Sequence, residues 1–240
     1  MTMENIPLAE RRLRTPRTAA VAGILFAVLL ITSNILIRIS IPVEPTDGGV
    51  WLEERADTVS LALVLMPFAG MAFLWFIGVV RDLLGQLEDR FFSSVFFGSG
   101  LLYLAMMFST AALAGGLLAS YAIESTILID SGVYTFARVV MYHIANVYAI
   151  RMAGIFMISL GTVWLQTRIL PRWLVFLTYA SALVLLVSVS YSLWVTMIFP
   201  VWVSIISIYI LILNMRTPQA GIMTSVDEGS NLVPEDKNPE

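Results

Sequence analysis

The sequence predicts an all-α polytopic membrane protein with six transmembrane helices and both termini in the cytoplasm. Three observations carry that expectation. The 240 residues are 58% hydrophobic and only 13% charged, about half the charged fraction of a soluble domain. Six continuous apolar runs are each long enough for a hydrocarbon core of about 30 Å, which takes about 20 helical residues. The arginines also gather at alternate ends of those runs.

The runs fall at 18–40, 58–80, 91–122, 134–167, 173–193 and 195–215. They are unbroken rather than alternating, which points to helices that satisfy their own backbone. The first run continues well beyond a short signal-peptide h-region and has no small-residue cleavage site after it. Arg11, Arg12, Arg14 and Arg17 precede it. Arg81 and Arg90 flank the loop after the second, Arg168 and Arg172 the loop after the fourth, and Arg216 follows the sixth. The opposite loops hold Arg55 as their one base, beside Glu44, Asp47, Glu53, Glu54, Asp57, Glu124 and Asp130. The positive-inside rule then puts residues 1–17 and 216–240 in the cytoplasm and 18–215 in the membrane domain. The polar, proline-containing tail 216–240 lacks apolar periodicity and reads as disordered.

The external stretch 42–57, PVEPTDGGVWLEERAD, is too polar to insert. It predicts a turn at Asp47-Gly48-Gly49 and a short surface helix anchored by Trp51. Trp75, Trp164, Trp173, Trp194 and Tyr191 fall where aromatic belts are expected. Pro67 and Pro200 free the carbonyls of Leu63 and Thr196 inside their helices. Pro67 has no counterpart in the fifth run, so the paired broken helices of an inverted-repeat transporter are missing.

The polar residues that matter lie in YTFARVVMYHIANVYAIRMAGIF, 134–156. On an α-helix Arg138, Tyr142, His143 and Asn146 span about 140° of one face, with Arg151 about 80° beyond His143. Ala145, Ala149 and Ala153 form a small-residue seam suited to close packing. The run would make about 50 Å of helix, so its N-terminal end projects into the external interface or bends there, carrying Arg138 and His143. Arg151 stays in the hydrocarbon about a third of the way down, where an isolated arginine costs at least about 3 kcal/mol. It should face protein, water or a carboxylate. Asn34 and Arg38, at the outer end of the first helix, join the group by depth, as do Glu124 and Asp130. Two readings follow. Either Arg138 snorkels, His143 and Asn146 bond a neighbouring helix and Arg151 closes a polar contact, or these residues line a functional pocket.

Other chemistry is narrowed by composition. The absence of cysteine excludes thiolate nucleophiles, disulfides, Fe–S clusters and thiolate metal sites, and a single histidine excludes bis-histidine haem. The one lysine, Lys237, lies in the tail, so no Schiff base forms within the membrane. No cofactor or metal is expected, and nothing resembles a nucleic-acid footprint. Ser99 of GSG, 98–100, sits about two turns from the cytoplasmic end of its helix, on the order of 20 Å in depth from His143. A serine–histidine pair is thereby ruled out. Gly98, Ser99 and Gly100 read as packing residues, as do Ala112 and Gly116. RDLLGQLEDR, 81–90, interleaves Asp82, Glu88 and Asp89 with Arg81 and Arg90 and reads as a solvated turn.

RTAAVAG at 17–23 and LPRWL at 170–174 resemble elements of a family of small six-helix prokaryotic membrane proteins, known as a domain of unknown function. The resemblance implies a single-domain bundle in a prokaryotic plasma membrane and supplies no site residues. The expected function is binding or accessory, without intrinsic catalysis. A polar pocket of Arg138, His143, Asn146, Arg151, Asn34 and Arg38 near the external leaflet would take an anionic or lipid-like group. Expected partners are membrane lipids, an anionic small molecule, and a membrane-protein partner or second copy. The alternatives are a small-solute or ion transporter using Arg151 and, third, an intramembrane enzyme.

Overall fold

The computed structural model describes residues 8–42, 48–84, 90–167, 170–187 and 195–216. The expected turn at Asp47, the loop 85–89 with Glu88 and Asp89, Arg168, Tyr191, Trp194 and the tail from residue 217 lie outside them, as does Glu44. The described residues form helices α1 (Leu8–Ser40), α2 (Trp51–Glu54), α3 (Ala56–Leu84), α4 (Arg90–Ile123), α5 (Ser125–Asp130), α6 (Val133–His143), α7 (Ile150–Thr167), α8 (Arg172–Val187) and α9 (Val195–Arg216). A π-helical turn, Ile144–Ala149, joins α6 to α7 in one continuous rod. Helix α1 starts at Leu8, ahead of the apolar run, so the arginine-rich segment continues the helix.

Five segments are long and apolar enough to cross a membrane: Thr18–Ser40, Ala56–Arg81, Phe91–Ile123, Val133–Thr167 and Val195–Leu213. Helix α8 is apolar but shorter. The outward faces are apolar as well. On α1, Val21, Leu25, Val28, Ile35 and Ile39 recur at helical spacing and are all exposed, a stripe only acyl chains can solvate at low cost.

Long helices consecutive in the bundle, such as α1 and α3 or α7 and α8, pack antiparallel. Ser33 Oγ of α1 donates to the Ala62 carbonyl of α3 at 2.8 Å, and Phe26 stacks on Phe73 further along the same pair. A Cβ on Gly23 would collide with Ser207 Oγ, which brings α1 and α9 together closely. Gly100 of α4 lies against Ile77 and Phe156. By contrast, Gly98 and Gly116 have open space where a Cβ would stand, and Ala112 is exposed, so the α4 pair Ala112/Gly116 packs against nothing described. Gly154 faces Ala182 and Leu186 while Gly161 faces Thr178, which sets α8 antiparallel to α7. Thr178 Oγ1 accepts from Trp202 Nε1 at 2.9 Å, tying α8 to α9.

The bundle axis is filled by rings. Phe73 contacts Phe26, Phe76, Tyr103, Phe156 and Phe199 at centroid separations of 4.4, 6.3, 5.8, 5.5 and 5.7 Å. Trp202 extends the group to Trp164. Trp164, expected in an interfacial belt, is only 5% exposed, because its ring packs on Trp202 instead of leaving the bundle. Trp75 and Trp173 do face outward.

A second, smaller core lies at the opposite end from the arginine-rich start of α1. It gathers Ile41, Trp51, Leu52, Val59, Leu117, Leu128 and Tyr134. Trp51 was expected as a surface anchor. It is instead 2% exposed, and its Nε1 donates to the Tyr134 hydroxyl at 2.9 Å. The turn at Gly48 and Gly49, both at positive φ, folds α2 back onto the bundle and makes it a cap.

The ring cluster predicts a steep stability penalty. Phe73→Ala should cost about 3–5 kcal/mol in reversible unfolding in mixed micelles, whereas Trp75→Ala, on the outer face, should cost far less. Equal losses would mean that the cluster does not hold the bundle.

Candidate functional site

Below the cap lies a cavity of about 130 Å³. Its polar wall comes from two places. Asn34 and Arg38, four residues apart on the last turns of α1, present one face to it. Arg138, Tyr142 and Asn146 do the same from α6 and the π turn. Met66 of α3 and Met197 of α9 close the sides, and Met107, Thr110 and Ala114 form a single stripe along α4. Tyr103 forms the floor, its ring 4.6 Å from Phe199. The cavity therefore ends where the aromatic filling begins.

Arg138 is 5% exposed and does not reach for the interface. Its Nη2 donates to the Pro42 carbonyl at 2.6 Å, and its guanidinium carbon lies 5.8 Å from the Trp51 ring centroid. The cap thus folds over it, so one cation serves the cap on one side and the cavity on the other. Asn146 Nδ2 donates to the Tyr142 carbonyl at 3.1 Å, which leaves its amide oxygen as an acceptor on the same wall.

The structure brings together Asn34, Arg38, Arg138 and Asn146 and leaves His143 and Arg151 out of the cavity wall. His143 is exposed, and its Nδ1 lies 2.9 Å from the Val139 carbonyl oxygen, to which an Nδ1 proton is donated. Arg151 is half-buried and lies back along its own helix, with Nη1 donating to the Val147 carbonyl at 2.7 Å. Glu124 and Asp130 are exposed and line no part of the cavity.

The π turn re-aims the residues that follow it. It carries one extra residue and so rotates everything after it by about 100° relative to everything before it. On an uninterrupted α-helix Ile150 would stand about 120° from Arg138; the extra residue reduces that to about 20°. Ile150 accordingly lines the cavity. The same shift takes Arg151 to within about 20° of the His143 direction, on the flank away from Arg138. Asn146 and Arg151 each bond a carbonyl four residues back, supplying donors where the backbone pattern is disturbed.

The cavity's apolar lining was not anticipated. Two signals for it were in the sequence. Met107, Thr110, Ala111 and Ala114 follow helical spacing on one face of α4, and Leu63 and Thr196, four residues before Pro67 and Pro200, both line the cavity. The Ser99 hydroxyl, meanwhile, is 5% exposed and donates to the Val95 carbonyl at 2.7 Å, in a packing role apart from His143. Among the described residues, no group of three or more His, Cys, Asp or Glu side chains is placed to hold a metal ion.

Comparison with protein-family models, with curated proteins and with solved structures gives no match to this chain.

Tyr134→Phe should strand Trp51 Nε1 in the buried cap and lower stability by about 1–3 kcal/mol, read from denaturation in micelles. Trp51 emission that neither shifts nor melts earlier in this variant would show that the cap does not depend on the bond.

Proposed function

We propose that the protein is a multi-pass cell-membrane protein of binding or accessory type, crossing the bilayer six times with both termini cytoplasmic. It takes an anionic or lipid-like group in the cavity near the external leaflet and has no catalysis of its own. The observation that carries this reading is the cavity wall. Two guanidinium groups, Arg38 and Arg138, and two amides, Asn34 and Asn146, meet there. Guanidinium forks match carboxylate and phosphate oxygens, and the apolar surround strengthens that attraction relative to water.

The six-crossing topology is supported by packing. Helix α8 returns antiparallel to α7, and Thr196 and Met197 at the start of α9 border the same cavity as Ile41 and Pro42 at the end of α1. This packing supports reading α8 as part of a further crossing. Orientation rests on the arginines, and a prokaryotic plasma membrane rests on the resemblance of 17–23 and 170–174. A transporter reading draws on the three helix irregularities around the cavity, the π turn, Pro67 and Pro200. The rings packed beneath Tyr103 favour a one-ended binding site instead.

The chain has no cysteine, so single cysteines report topology directly. Glu54→Cys and Ser131→Cys should react with an impermeant maleimide on intact cells, and Gln166→Cys only after the membrane is opened. Labelling of Gln166→Cys from outside would reverse the orientation. For the ligand, purified protein in an uncharged detergent should bind octanoate in equilibrium dialysis and not octyltrimethylammonium. Arg38→Gln should abolish the difference, while Arg151→Gln and His143→Ala should preserve it. Equal uptake of both head groups by the wild type would dismiss an anion site.

A further inference from the structure

We infer that the ligand is a single-chain amphiphile, one anionic head carrying one unbranched apolar chain, rather than a free inorganic anion or a two-chain phospholipid. This deepens the binding reading above and rests on it. Three observations point the same way.

The first is how the polar and apolar groups are divided. Arg38 and Asn34 on the last turns of α1 and Arg138 on α6 form the polar end beneath the cap, with Asn146 on the π turn below them, whereas the α4 wall descends through Met107 to Tyr103. A head group at the arginines leaves its remaining atoms facing that apolar wall, which a bare phosphate or acetate would leave uncovered. The second is shape. From Ala114 to Tyr103 the lining follows one face of α4 for about 16 Å of helix, so the space is long in one direction. Its volume of about 130 Å³ is close to the roughly 150 Å³ of an engineered cavity that accepts benzene. That admits one chain segment on the order of six carbons and is far too small for two acyl chains. The third is the lining chemistry. Met66, Met107, Met141 and Met197, from four different segments, all border the cavity. Unbranched, polarizable thioethers adapt to a flexible chain better than branched side chains do.

Closure at the bottom completes the inference. Tyr103 stands on Phe73 and Phe199 with centroid separations of 5.8 and 4.6 Å, so a chain that enters from the arginine end meets a wall and its length is read there.

The test is a series of straight-chain carboxylates from acetate to dodecanoate, with the matching alkyl phosphates, measured by equilibrium dialysis below their micellar concentrations. Affinity should rise about fourfold per methylene, then level off at on the order of six carbons. Ala111→Phe, which fills the slot, should move the plateau to shorter chains, and Met107→Ala should move it to longer ones, with thermal unfolding of each variant showing that it folds. Parallel series for carboxylates and phosphates would make the charge and the chain the recognised features; a plateau in only one series would name the head. Affinity independent of chain length, or dioleoyl phosphatidylglycerol in nanodiscs displacing octanoate at equal concentration, would overturn the single-chain inference while leaving an anion site in place. Failure of every anion in both series would dismiss the anion site itself.

Discussion

The packing of Phe73 against five other rings is the interaction on which the rest of this architecture depends. Within a bilayer, helices gain little from burying apolar surface against one another, because acyl chains are as apolar as leucine. What remains is close packing, and here it is concentrated at one level. Rings from α1, α3, α4, α7 and α9 interlock around Phe73 and Phe199, with each well-placed aromatic pair contributing about 0.5–1.5 kcal/mol beyond its buried area. Gly23 and Gly100 let α1 and α4 approach closely enough for those rings to meet. Once the axis is filled at this level, the helices can diverge above it only towards the cap, and that is where the cavity lies.

The cavity in turn explains where the helices are irregular. Backbone groups in contact with lipid have no outside partner, so departures from the α pattern are tolerated where protein or a polar cavity surrounds them. The π turn contributes Asn146 to the wall, and the residues four before Pro67 and Pro200 border the same space. Side chains assist: Asn146 donates to the Tyr142 carbonyl just before the distorted stretch and Arg151 to the Val147 carbonyl within it. Arg151 is therefore accounted for within its own helix. Its depth raised the expectation of a partner or water, and its bond is with the backbone that the π turn disturbs.

The boundaries of the long helices were legible because length and continuous apolarity are sufficient for a bilayer-crossing helix. The apolar segments 18–40, 91–123 and 133–167 fall within a residue or so of the sequence reading. Asn34 and Arg38 were placed near Arg138 by depth alone, and they do border the same cavity. The turning of Ile150 onto the cavity wall was not legible. The 100° period assumes an unbroken α-helix, and IANVYA carries no composition that distinguishes a π turn from an α turn. Nor could the sequence tell which surface takes up Trp51. An amphipathic VWLEERA fits the membrane interface and a protein cap equally well, and Tyr134, which decides between them, lies 83 residues away.

Arg138 links these two levels of organisation. A guanidinium under a cap and beside an apolar cavity must spread its charge over several acceptors, since transfer of an unpartnered ion out of water costs several kcal/mol even after relaxation. The Pro42 carbonyl and the face of Trp51 supply part of that from the cap. Arg38, borne on the turn that leads into Pro42, is fixed relative to the same cap by the length of the helix between them. Positioning two cations from a rigid helix end and a distorted one, over a floor of interlocked rings, gives a site whose polar end and apolar depth are set independently. For a ligand of the class proposed above, the arginines would discriminate the head and Tyr103 the length.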